Sequence, residues 1–188
     1  FKYLPAFAVI AIPLGLMPLA VAKGVWFVGS VALLMALMSL SVRLLPQQRK
    51  STAVLIASAI VVLAKFYARE LDMGQVNLPF AVAAVAGFLA LKERREVLAA
   101  VLLVLTIAIK PYGALLLPAL LIRRHQAATV MAGVGVLLLL ALPVPLYGWS
   151  GTIDLHQTWW RTDTDTTAPN LLNPDNISLA SMYAKWLG

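Results

Sequence analysis

Apolar residues run along this chain in long blocks broken by short polar interruptions, over roughly 5–22, 25–45, 52–68, 76–91, 97–109, 112–122 and 127–147. A helix that crosses a bilayer needs about 20 residues at a rise of about 1.5 Å each. Blocks 25–45 and 127–147 meet that length, while 52–68 and 76–91 must borrow flanking residues. Block 5–22 is interrupted by Pro5, Pro13 and Pro18, each of which removes a backbone donor that lipid cannot replace. It reads equally as a clean span and as a broken or re-entrant helix, and its direction is open. After Tyr147 the pattern changes to Asp154, Asp163, Asp165 and Asp175 among Thr, Asn and the pair Trp159 and Trp160, an extramembrane loop lying on the interface by its aromatics. Within it, 177–187 is amphipathic enough for a surface helix or the start of another span. The expected architecture is all-α: a polytopic membrane helix bundle over 1–147 with about six or seven membrane segments, some broken or re-entrant, and an extracytoplasmic loop with a short helix over 148–188.

Composition agrees, because 188 residues that are 61% hydrophobic and 12% charged, with a mean hydropathy of +0.86, describe an integral membrane protein rather than a soluble domain. With no cysteine and only His125 and His156, thiolate chemistry is excluded and no metal centre is expected. The net charge of +7 does not indicate a nucleic-acid partner. Its basic residues gather in short clusters between apolar blocks: Arg43 with Arg49 and Lys50, then Lys92 with Arg94 and Arg95, then Arg123 with Arg124. The positive-inside rule places all three in the cytoplasm, with 69–77 and everything after Tyr147 on the other side. The opening Phe1-Lys2-Tyr3-Leu4-Pro5 resembles neither a start methionine nor a signal peptide, so the chain reads as a fragment.

Both ends of 97–122 carry cytoplasmic charge, so this stretch has to enter the membrane and return. Each arm spans about 18–20 Å, short of a hydrocarbon core of about 30 Å, which puts the turn at Lys110-Pro111 inside the outer half of the membrane. One long kinked helix would leave Arg123 and Arg124 on the wrong side, so the hairpin is preferred.

Lys110 is the strongest chemical signal, because a lysine at membrane depth marks function unless it snorkels. Its ammonium suits a phosphate, and Pro111 bends the chain so that the amine faces a cavity. Gly74-Gln75-Val76-Asn77 follows Arg69-Glu70-Leu71-Asp72, so two carboxylates and two amides share an outer edge. They either bind sugar hydroxyls or form a solvated loop in which Gln75 or Asn77 caps the next helix. In 169–178, Asp175 or Asn176 is a natural N-cap, and Asn176-Ile177-Ser178 also fits a glycosylation acceptor. His156, near Asp154, is either an acid-base group or an exposed loop residue.

In order and spacing these pieces resemble the polyprenyl-phosphate-mannose-dependent α-mannosyltransferases, glycosyltransferase family 87 of the C-type membrane glycosyltransferases. The matching stretches are Phe1-Lys2-Tyr3-Leu4-Pro5-Ala6, Gly74-Gln75-Val76-Asn77, Ala108-Ile109-Lys110-Pro111-Tyr112 with Leu121-Ile122-Arg123-Arg124, and Asn176-Ile177-Ser178-Leu179. Leu4 and Ile177 depart from the family pattern, which commonly has Pro and Gln there. The resemblance implies the C-type fold and an inverting transfer of mannose from a polyprenyl-phosphate-sugar to a glycan or glycolipid hydroxyl. It implies no cofactor or metal, and a bacterial plasma membrane with the site on its extracytoplasmic face. It assigns donor and acceptor binding to Lys110, Gln75, Asn77, Tyr3, Tyr112, Asn176 and Ser178. The family's essential Asp would precede Phe1, leaving His156 and Asp72 as the weaker candidates for a base within this sequence. The rival is a transporter or lipid-linked-sugar flippase, which inverted repeats would favour and none is seen. A third class is a non-catalytic membrane subunit.

Overall fold

The structure, a computed structural model, describes residues 3–173 and 179–187, and these form helices and short connections with no strand among them. The first helix, α1 (Pro5–Gly15), starts on a proline whose missing N–H costs nothing at that position and stops within two residues of Pro13. Pro18 then opens α2 (Leu19–Leu44). The boundary expected around residues 22–25 lies instead at Leu16–Pro18, and the helix continues through Lys23-Gly24. Proline is the stronger breaker, because it cannot continue the hydrogen-bond ladder, whereas Lys-Gly can.

Helices α2, of 26 residues, and α3 (Thr52–Asp72), of 21, are long and apolar enough to cross a membrane, at about 39 Å and 32 Å. Ser51 starts α3 by accepting the Val54 N–H at 3.4 Å. No residue of α3 is buried, and Val61, Val62 and Phe66 are strongly exposed, as suits a helix whose solvent is lipid. The next elements are α4 (Asn77–Lys92), α5 (Glu96–Ile109), a 3₁₀ turn (Pro111–Leu116), α6 (Pro118–Ile122) and α7 (Gln126–Ala141). All are too short to cross alone.

Helix α5 is the centre of the core, with Ala99, Ala100, Leu103, Val104, Ile107 and Ala108 all buried. Small residues let its neighbours approach: a Cβ on Gly87 of α4 would stand 3.0 Å from Leu103, and one on Gly135 of α7 would stand 3.0 Å from Val104. Leu4 and Ala6, at the start of α1, are buried in the same cluster.

Contacts at the helix ends fix the directions. Pro79, in the first turn of α4, borders the same cavity as Trp26, Gly29 and Ser30 of α2, while Arg43 at the far end of α2 pairs with Glu93 at 2.8 Å. Helices α2 and α4 are therefore parallel. Glu96, which begins α5, accepts the Ala128 N–H at 3.1 Å and lies 3.2 Å from His125 Nδ1. The chain thus leaves Glu96 along α5 and returns to His125 beside it, so 97–122 is a hairpin as its charge pattern requires. At the tip, a Cβ on Gly113 would lie 2.7 Å from the Thr106 carbonyl carbon, so only glycine lets the returning arm pack there. The three basic clusters therefore share one end of the bundle, and the tip of the hairpin reaches toward the other.

Helix α8 (Val144–Leu171) follows α7 at a bend of 88° and breaks again at Gly148, with φ 67° and ψ 176°, a backbone region open essentially to glycine alone. The segment read as an outer loop is thus helical as far as Leu171, despite its threonines. Their hydroxyls back-bond to carbonyls one turn earlier, as Thr152 does to Gly148 at 2.7 Å and Thr162 to Thr158 at 2.8 Å. A short α9 (Leu179–Leu187) comes last.

Candidate active site at the polar end of the bundle

The turn from α3 into α4 is organised by Glu70, two residues before the end of α3. Its Oε1 accepts the Asn77 N–H at 2.8 Å and the Leu78 N–H at 3.2 Å, and its Oε2 accepts from Asn77 Nδ2 at 2.7 Å. A carboxylate reaching across the turn thus satisfies N–H groups that the start of α4 leaves open, where the helix dipole also favours negative charge. The expected capping by Gln75 or Asn77 is corrected accordingly: neither caps α4, and Glu70 does.

Because a carboxylate only accepts, the Asn77 amide must turn its NH₂ toward Glu70 and its oxygen outward. Asn77 Nδ2 also lies 3.1 Å from Gln75 Oε1, and Asn77 Oδ1 accepts a hydrogen bond from Lys110 Nζ. Lys110 closes α5 in an extended conformation, φ −145° and ψ 124°, which the following proline favours. Its Nζ lies 5.6 Å from the centre of the Tyr112 ring, and that ring packs on Phe80 at 5.1 Å. No Asp or Glu among the described residues forms an ion pair with Lys110.

Four of the expected site residues therefore meet: Gln75, Asn77, Lys110 and Tyr112. Tyr3 stands elsewhere, its ring tilted against Phe7 at 5.1 Å and bordering a cavity of about 270 Å³ with Tyr147 and Trp159 of α8. His156 lies on α8, where its Nδ1 is 2.8 Å from the Thr152 carbonyl, so that nitrogen carries the proton. Asp72 borders a different cavity, with Lys23 and Trp26. Asn176 and Ser178 lie outside the described residues. Glu70 is the member that sequence reasoning left in a generic loop. The signal available for it was a carboxylate seven positions before an asparagine that opens a helix.

Described residues that are helical throughout, with helices apolar and long enough to cross a lipid bilayer, define an integral membrane protein. The chain belongs to glycosyltransferase family 87, whose family model matches residues 1–188. It is thus a membrane glycosyltransferase. Among curated proteins none matches this sequence, and among solved structures none matches it either.

Proposed function

We propose that this protein moves mannose from a polyprenyl-phosphate-sugar to a hydroxyl of a glycan or glycolipid acceptor, at the bundle end that carries Lys110, on the extracytoplasmic side. The observation that carries the reading is the state of Lys110. Its ammonium has three donors, one goes to Asn77, and no carboxylate among the described residues forms an ion pair with it. Two donors and a full charge remain for phosphoryl oxygens.

In the transfer the acceptor oxygen bonds to the anomeric carbon as the bond from that carbon to the phosphate oxygen breaks. The electron pair leaves with the phosphate, and the hydroxyl proton goes to a base. Lys110 stabilises the charge that grows on the leaving phosphate, an effect worth about 10²–10³ in rate for a single well-placed donor. Asn77 holds the ammonium in place, and Gln75 sits at the rim for sugar hydroxyls. Tyr112 shields one side of the cation. Glu70 is a positioning residue, since its oxygens already accept three N–H groups, which leaves it poorly disposed to act as the base.

The basic clusters support the sidedness, because they share the end opposite Lys110 and the positive-inside rule assigns that end to the cytoplasm. The test is transfer from polyprenyl-phosphate-mannose in membranes carrying the full-length protein. Lys110→Met should lower the rate by about two orders of magnitude. A full rate in that variant, or movement of the lipid-linked sugar across the membrane without transfer, would overturn the proposal.

A further inference from the structure

The loop that presents Asn77 to Lys110 has a second face. There α1, the start of α2 and the end of α3 line an open concavity of about 560 Å³, bordered by Leu14, Lys23, Trp26, Phe27, Asp72 and Gly74. That volume lies in the range of small-ligand sites, about 300–1,000 Å³. Gly74, at φ 59°, turns the chain here, and the Trp26 indole lies in ordinary contact beside it, 3.5 Å from where a Cβ would stand. Trp26 Nε1 is buried and finds no hydrogen-bond partner among the described residues. Lys23 and Asp72 border the same space and form no ion pair with each other. A donor-only indole, an acceptor-only carboxylate and a donor-only ammonium thus surround one apolar-walled hollow, each with capacity to spare.

We propose that this hollow is the subsite that seats the saccharide of the acceptor. The proposal rests on the transferase reading above and adds the place at which the acceptor of that reading binds. A sugar carries, on one small ring, neighbouring hydroxyls that can donate as a pair to a carboxylate. It also carries oxygens that accept from an indole N–H or an ammonium, and a C–H face that packs on an aromatic wall. A second phosphate does not fit this set, because Asp72 would repel it. The hollow and Asn77 share the Gly74–Asn77 loop, so a saccharide seated at Trp26 lies across that loop from the cation that would hold the donor.

The probe is mannobiose, titrated against the full-length protein in nanodiscs without donor and followed by tryptophan fluorescence. A saturating change is expected in the wild type. It should vanish in Trp26→Phe, and its midpoint should rise about tenfold or more in Asp72→Asn, the usual scale for a hydrogen bond to a charged group. Lys23→Gln should weaken binding in the same direction. Identical curves in the wild type and in Trp26→Phe and Asp72→Asn would sink the subsite, as would displacement of the saccharide by phosphoethanolamine lipid, which would assign the hollow to a zwitterionic head group. Saturable binding that these variants abolish, in a protein that shows no transfer, would leave the subsite standing and refute the transferase reading instead.

Discussion

Glu70 decides which end of the Asn77 amide meets the cation: its carboxylate takes the NH₂ at 2.7 Å, and the oxygen is left for Lys110. Lys110 is thereby held by a neutral amide oxygen rather than by a direct carboxylate partner, as the proposed phosphate contact would require. A direct carboxylate partner would fix the lysine as firmly and leave no net charge for the substrate.

Glu70→Gln tests this arrangement. A glutamine amide meets Asn77 with a donor as readily as with an acceptor, so the orientation of Asn77 is no longer imposed and its NH₂ can face the ammonium. Transfer should fall about tenfold or more, on the scale of one mispaired, part-buried polar group. The thermal midpoint in detergent should drop only modestly, since two N–H groups of α4 can still be capped.

Asn77→Asp should separate holding from cancelling. The new carboxylate pairs with Lys110 and stands beside Glu70, so it competes with the donor phosphate for the same ammonium. The KM for the lipid-phosphate sugar should rise about tenfold or more. An unchanged donor KM would remove Lys110 from the phosphate site.

Gly113→Ala probes the hairpin tip. An added methyl would meet the Thr106 backbone, which cannot step aside as a flexible side chain can. A loss of about 1–3 kcal/mol is expected, typical of forced overpacking. Gly133→Ala is the control, because nothing lies within 4 Å of a Cβ there, and helix propensity should make it neutral or stabilising.

Glu96→Ala removes both the partner of His125 and the acceptor for the start of α7. A lower thermal midpoint in detergent is expected, because the start of α7 loses its cap. Faster trypsin cleavage after the exposed Arg123 and Arg124 would report the loosened base of the hairpin, and unchanged cleavage would count against this role for Glu96.

The hairpin was legible because two facts of the sequence favour it over one long kinked helix: basic residues stand at both ends of 97–122, and neither arm is long enough to cross. Lys110 was legible for a similar reason, as a single charge inside an apolar block. Glu70 was not, because its role depends on a turn that brings it over Asn77, and nothing in the order of residues says that a loop carboxylate will point back across that turn. The start of α2 was misplaced because Lys23-Gly24 looks like a break in composition, while Pro18 is the break in hydrogen bonding. The helix after Gly148 was missed because threonine and aspartate favour loops in water. On the side of a bundle their side chains can face outward or back-bond, and the backbone is free to coil.

The close approach of Glu96 to His125 has a consequence for counting. A segment that enters and leaves by the same face contributes nothing to the parity of crossings, so α7 departs from the face that α5 departs from. Residues 128 and 96 stand together, as do 135 and 104, so the two helices advance in step and finish at the same end. The end of the bundle that carries Lys110 is therefore also the end at which α7 gives way to α8, and a count that scored 97–122 as a full crossing would put that junction at the opposite end.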